Sequence, residues 1–186
     1  MTDRRSLDLV RRRLLRMCVP PHAYVVDVGC ADSMDAKVLL STYRPRTYVS
    51  LVRSGADSLG RATRGLANMP YRSGDCFLVP YDLESGGREC VSEAQADVVY
   101  CDFVRQPPAS VADALATLGW MLRPGGTACG VAPAELVHAL ASTQMVSRAR
   151  APAESAAYLL AHGRCPPLGP READEPWAFV LKRAAV

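Results

Sequence analysis

The stretch Val25-Val26-Asp27-Val28-Gly29-Cys30-Ala31-Asp32-Ser33-Met34-Asp35 decides how this chain reads. A β-branched run ends in an acid, small residues then turn the backbone sharply, and Ala36-Lys37-Val38-Leu39-Leu40 has helical character. Strand, small-residue corner, helix N-terminus is the arrangement with which open α/β sheets cradle nucleotides, because a ligand can come close to the backbone there.

Working outward, residues 6–18 predict an amphipathic helix. Leu7, Val10, Leu14 and Met17 or Cys18 recur at helical spacing, and Arg5, Arg11, Arg12, Arg13 and Arg16 occupy the remainder. Such a face is either simply solvated or binds anions beside a ligand. Pro20-Pro21 stops the helix, so residues 1–21 form a basic helical lead-in to one domain spanning 1–186. Ala23–Val28 predicts a first strand, apolar but for Asp27, as a strand covered on both faces should be. A helix over 33–42, a strand over Thr47–Val52, a helix over Ala56–Leu66 and a strand over Asp75–Pro80 follow. Next come a short polar helix near Glu89–Ala94, a strand over Ala96–Cys101 and a helix from Ser110 to Leu122. Arg123-Pro124-Gly125-Gly126 turns into a fifth strand, Thr127–Val131. Helices are expected over Glu135–Ser142 and Ala153–Ala161, a loop over Gly163–Pro176, and a last strand over Trp177–Lys182. Alternating strands and helices argue for a doubly wound, mostly parallel α/β sheet with helices on both faces.

Composition narrows the class. The chain has 186 residues, 49% of them hydrophobic, and a formal charge of +3. That is enough chain for one packed domain burying about two-thirds of its unfolded surface, with a charge that neither demands nor excludes a polyanionic partner. Seven cysteines, at 18, 30, 76, 90, 101, 129 and 165, form no C-x-x-C pair. Together with three histidines they give no metal-ligand spacing, and they read as reduced thiols. Met1-Thr2-Asp3-Arg4-Arg5 leads into charge, and no window has the ~18 apolar residues of a membrane span. A soluble intracellular protein without a membrane partner is expected.

The corner gains meaning from what accompanies it. Asp27-x-Gly29-x-Ala31-x-Ser33 is followed by an acid, Asp82, just past the third strand, by Ala96-Asp97-Val98-Val99, and by Leu122-Arg123-Pro124-Gly125-Gly126. The later glycines of a dinucleotide fingerprint and the Gly-Lys-Ser/Thr of a P-loop are absent. The layout resembles the Rossmann-like class I methyltransferases that use S-adenosylmethionine (SAM), over essentially the whole chain. Four local features are most similar to the mRNA cap guanine-N7 methyltransferases: the Asp27–Asp35 corner with its second acid, Arg11-Arg12-Arg13-Leu14-Leu15, Asp97–Gln106 with its Cys101-Asp102-Phe103, and Leu122–Pro133 with its Gly130-Val131-Ala132-Pro133.

By that resemblance, Asp27, Gly29, Ala31 and Asp35 shape the SAM corner, and Arg11 takes the methionine carboxylate. Asp82 accepts from the adenine amino group, and Tyr100 lies near the adenosine. Phe103 stacks on the guanine, with Gln106 and Trp177 on the substrate side. No metal and no catalytic acid or base is implied: guanine N7 carries no proton to remove, and in-line methyl transfer asks for alignment. Departures from the pattern accompany these matches. Arg53 stands where an acid would grip the ribose, Asp32 replaces a lysine, and Gln106-Pro107 replace His-Tyr. The family's long insertion before the last strand is shortened. Two readings follow: a methyltransferase acting on capped RNA, or a methyltransferase fold without turnover that binds or stimulates a partner enzyme, as in a viral capping system. A small-molecule methyltransferase is a third.

Overall fold

The computed structural model describes residues 4–29, 34–54, 56–67, 74–81, 91–140, 158–163 and 177–183. Helix α1 (Arg4–Cys18) precedes strand β1 (Tyr24–Val28). α2 (Met34–Val38) continues as a π turn, Leu39–Tyr43, that ends on Arg44 with φ 47°. β2 (Thr47–Arg53), α3 (Ala56–Ala67), β3 (Asp75–Tyr81) and β4 (Ala96–Asp102) follow, then α4 (Val111–Met121) and β5 (Leu122–Ala132). A helix α5 over 134–140 precedes β6 (Tyr158–Gly163) and β7 (Trp177–Arg183).

The seven strands form one sheet in the order β3-β2-β1-β4-β5-β7-β6. Parallel pairing links β3, β2, β1, β4 and β5. β7 is antiparallel to both β5 and β6, so it alone runs against the other strands. Strand alternation divides the sheet into two faces. On one, Val25, Tyr48, Val98, Tyr100 and Cys129 pack under Leu15 of α1, Ala36 of α2 and Leu39 and Leu40 of the π turn, and α3 adds Ala62 against Val52. On the other, Val26, Val49, Val99 and Phe179 pack under Ala114 and Leu118 of α4 and Val137 and Leu140 of α5. This is the doubly wound architecture expected from the sequence.

Several elements differ from expectation. β5 begins at Leu122, not Thr127, because Leu122 already pairs with Ala96 beyond the Arg-Pro-Gly-Gly turn. Of the helix expected near Glu89–Ala94, residues 91–94 form a bend and a turn, with Ala94 at φ 55°. The end of the helix expected over Ala153–Ala161 is strand β6, whose backbone pairs with β7 and forms the sheet edge; sheet pairing overrides local helical character. Residues 153–157 of that span, and most of the expected Gly163–Pro176 loop, lie outside the described residues.

Asp97 organises the N-terminal edge of the sheet. Its carboxylate accepts from the backbone N–H of Tyr24 at 2.7 Å and from Arg123 Nε, fixing β1, β4 and the start of β5 together. It stands at the edge opposite the corner after β1. Its role is structural.

Candidate functional site at the C-terminal edge of the sheet

Helices cover one face beside β1 and β2 and the other face beside β4 and β5, so the crossover direction reverses between β1 and β4. Ligands of open α/β sheets bind outside the carboxyl ends of the strands at such a point. The residues at this edge come from β1, β2, β3 and β4, from the segment that follows β4, and from α1.

Asp27 is fully buried on the α1–α2 face, and the Tyr48 hydroxyl of β2 donates to its Oδ2. In the strand register Asp27 stands beside Ser50 on one side and Tyr100 on the other. Ser50 is also fully buried, and its Oγ has no hydrogen-bond partner among the described residues. An orphaned buried hydroxyl is uncommon, since burying a polar group without a bond costs free energy. Tyr100 is 0% exposed. A polar layer therefore lies inside an otherwise apolar sheet face, just below the corner.

Gly29 makes that corner. Its φ of +92° belongs to glycine, and its N–H donates to Leu51 O at 3.2 Å. The Gln106 side chain lies across the missing Cβ, which would meet Gln106 Cδ at 3.0 Å. Gln106 is held there by the Tyr81 hydroxyl, which donates to its Oε1 at 2.6 Å. Below it, on the α4 face, is a cavity of about 40 Å³ between Val28, Tyr81, Cys101, Phe103, Pro107 and Leu118.

Asp102, at the end of β4, fixes the segment that carries Phe103 and Gln106. Its fully buried carboxylate accepts from Arg11 Nη2 at 2.6 Å and from the Arg105 backbone N–H at 3.1 Å, with Arg105 Nε at 3.3 Å. Its carbonyl accepts from Gln106 N at 2.9 Å. Arg11 is itself only 3% exposed, so the pair anchors α1 across the sheet edge. The sequence grouped Arg11 with the basic face of α1; the structure puts it on the apolar face, in line with Leu14, Leu15 and Cys18. A second glycine permits this geometry on the β5 side: a Cβ on Gly130 would come within 1.9 Å of Cys101 O.

The nominated residues thus fall into three groups. Arg11, Asp27, Gly29, Tyr100, Phe103 and Gln106 converge at this edge. Phe103 is 5% exposed and stacks on Phe179, centroids 5.6 Å apart and planes at 6°. Trp177 stands at the start of β7, against His138 of α5 with centroids 4.7 Å apart. Arg53 ends β2 and Asp35 lies in α2, but their side chains, like Ala31 and Asp82 altogether, lie outside what the structure describes. Sequence reasoning did not single out Tyr48, Ser50, Tyr81 or the carboxylate of Asp102. Asp102 had a signal: an arginine at the helical spacing of apolar residues needs a buried acid. Among the described residues no group of three or more His, Cys, Asp or Glu could hold a metal ion. No helix among them is long and apolar enough to cross a membrane.

No protein-family model matches the sequence, and no curated protein matches it either. Solved structures do share the fold. A Clostridium thermocellum protein described as an rRNA methylase superposes with a TM-score of 0.63 at 11% identity, over 99% of this chain and 98% of that one. TYW2 from Pyrococcus horikoshii, solved in complex with MeSAdo, gives 0.63 at 12% identity, over 98% of this chain and 64% of that one. An S-adenosylmethionine-dependent methyltransferase from Mesorhizobium loti gives 0.53 at 17% identity, over 69% and 53%. The chain spans about half the length of that structure and of others it matches. At these identities the likeness establishes a Rossmann-like methyltransferase fold.

Proposed function

We propose that the chain binds S-adenosylmethionine over the Asp27–Gly29 corner and is a SAM-dependent methyltransferase. The observation that carries this reading is the corner itself: a buried acid and a positive-φ glycine at the switch point of a β3-β2-β1-β4-β5-β7-β6 sheet. Two features suit a nucleoside with a charged amino-acid tail. The atoms nearest the side of Gly29 that lacks a Cβ belong to a side chain, Gln106, and not to backbone. The Ser50 hydroxyl beside Asp27 is a buried group without a hydrogen-bond partner among the described residues.

In this reading the Gly29 backbone admits the ligand and Asp27, oriented by Tyr48, faces its amino-acid end. Arg11 stands where a carboxylate would be taken; that role competes with Asp102, which already neutralises it. Ala31, Asp35, Asp82 and Tyr100 are assigned to the same ligand by resemblance, and Arg53 stands where its ribose is usually gripped. Bound SAM supplies an electrophilic methyl group on a sulfonium. The chain's own residues then have to hold an acceptor in line with it and keep water out, a matter of alignment, with no side chain nominated to move a proton.

The acceptor implied by resemblance is the guanine of capped RNA, with Phe103, Gln106 and Trp177 on its side. Support for it is confined to sequence motifs, since one face of the Phe103 ring is already taken by Phe179. Calorimetric titration tests the cofactor: saturable heat with SAM is expected. Gly29→Val, which puts a branched side chain into Gln106 at a positive φ, should weaken binding at least tenfold with an unchanged circular dichroism spectrum. No heat up to millimolar SAM overturns the reading. Labelled methyl transfer to capped but not uncapped RNA would support the finer acceptor, and equal labelling would reject it.

A further inference from the structure

The positive charge of this molecule is concentrated on one element. α1 holds 6 of the 22 basic residues and 1 of the 19 acidic ones, so the rest of the chain carries 16 against 18, a net charge of −2. The helix cannot present all its faces. Leu14 is 6% and Leu15 0% exposed against the sheet, and Arg11 is buried on Asp102. Arg12, Arg13 and Arg16 point outward into solvent. No ion pair is described for any of the three.

The neighbouring surface continues the pattern. α1 packs against α2, where Lys37 is exposed. The half-buried Tyr43 of the π turn lies near enough to Arg16 to respond to its charge: burial raises the pKa of its hydroxyl and Arg16 lowers it. Arginines beside a partly exposed aromatic ring are the elements from which single-strand nucleic-acid grooves are built, the cations tracking phosphates and the ring offering a stacking face. The stripe also has a direction. Arg11, at the middle of α1, is tied to Asp102 at the edge that carries the Gly29 corner, and Arg16 lies about 7.5 Å further along the helix axis, away from that edge.

We propose that the outer face of α1, with Lys37 and Tyr43, is a docking track for the backbone of a single-stranded RNA, leading toward the corner after β1. This rests on the methyl-transfer reading only for its direction; the charge asymmetry stands without it. RNA is favoured over a membrane because Leu14 and Leu15 are spent on the sheet, leaving Met17 as the one large exposed apolar residue among the described side chains of the helix. A stripe of arginines with a single exposed methionine beside it offers little apolar surface to insert into lipid. RNA is favoured over DNA because the C. thermocellum structure that matches this chain end to end is described as an rRNA methylase.

The experiment is fluorescence anisotropy with a 5′-labelled 20-nucleotide single-stranded RNA, at several salt concentrations and without SAM. Binding should weaken steeply with salt. The triple variant Arg12→Gln/Arg13→Gln/Arg16→Gln should weaken it at least tenfold and reduce the log–log salt slope by about 2, as expected for three lost phosphate contacts on a single strand. Arg16→Gln alone should reduce the slope by less than one, which keeps the test valid if the triple variant folds poorly. SAM titration of the triple variant should match the parent, so RNA docking and the SAM corner can fail independently. Unchanged RNA affinity or salt slope in the variants overturns the proposal. So does equal or tighter binding of DNA of the same sequence, or binding to anionic phosphatidylserine vesicles without RNA binding.

Discussion

The two faces of the sheet bury similar numbers of strand residues and use them differently. Under α4 and α5 the strands contribute Val26, Val28, Val49, Leu51, Val99 and Phe179, and the aromatic contact there is Phe103 on Phe179. Under α1 and α2 the same strands bury Asp27, Tyr48, Ser50, Tyr100 and Asp102. Polar groups are costly inside a core unless bonded, and this cost is concentrated on the face that meets the Gly29 corner. The apolar face holds the fold together; the polar face positions a site. The comparison predicts that equal losses of stability on the two faces will have different remedies.

The largest effect is expected at the buried ion pair. Asp102→Ala leaves the Arg11 guanidinium buried without its carboxylate and should cost about 3–5 kcal/mol in urea denaturation. Phe179→Ala on the other face should cost a similar amount, about 3–5 kcal/mol, through cavity formation. The remedies separate them. Arg11→Met combined with Asp102→Leu removes both charges together and should recover most of the stability, because an apolar pair of similar volume is often as stable as a buried ion pair. Phe103→Leu added to Phe179→Ala should recover none. If the polar pair is not rescued, the two faces do not differ in the way described.

A smaller effect is expected one layer further in. Tyr48→Phe removes the hydroxyl that donates to Asp27 and should cost about 1.5–3 kcal/mol, the range for a hydrogen bond to a charged group. Because Tyr48 acts through Asp27, the same variant should weaken SAM in calorimetry, whereas a change of similar cost on the apolar face should not. Loss of stability with unaltered SAM affinity would make Tyr48 a packing residue only.

How much of this was legible in the sequence follows from the same division. Strand periodicity and the turn chemistry of Gly29 are local properties, and they place β1 to β4, α1, α3 and α4 to within a few residues, while β5 begins five residues earlier than its turn signal suggests. β6 was read as helix because Tyr158-Leu159-Leu160-Ala161 has no strand alternation, and its pairing depends on β7, encountered only later in the chain. The corner was legible because its small residues serve a local backbone need. Tyr48 and Ser50 were not. Each is one alternate position of an ordinary-looking strand, and their meaning comes from Asp27, more than 20 residues away. Arg11 is singled out by resemblance yet grouped with the basic face, although its spacing with Leu14, Leu15 and Cys18 separates it from Arg12 and Arg13; its partner Asp102, 91 residues away, is what the sequence does not show.

The subtlest contrast between the faces is chemical, and cysteines report it. Cys18, at the end of α1, has its pKa lowered by a hydrogen bond with Cys129 of β5, against an opposing effect of burial. Cys101, on the α4 face, is pushed well above the ordinary thiol value by burial, with the Asp27 and Asp102 charges adding to it. The thiolate is the nucleophile, so iodoacetamide followed by peptide-resolved mass spectrometry should label Cys18 in the folded protein and Cys101 only after unfolding. Because the Cys129 bond favours the Cys18 thiolate, Cys129→Ala should move the midpoint of the Cys18 alkylation rate to higher pH while leaving Cys101 silent. A Cys18 profile indifferent to Cys129 would remove the contact between α1 and β5 from which this prediction is drawn. Labelling of Cys101 in the folded state would show the apolar face to be open, and the contrast between the faces would then rest on the ion pair alone.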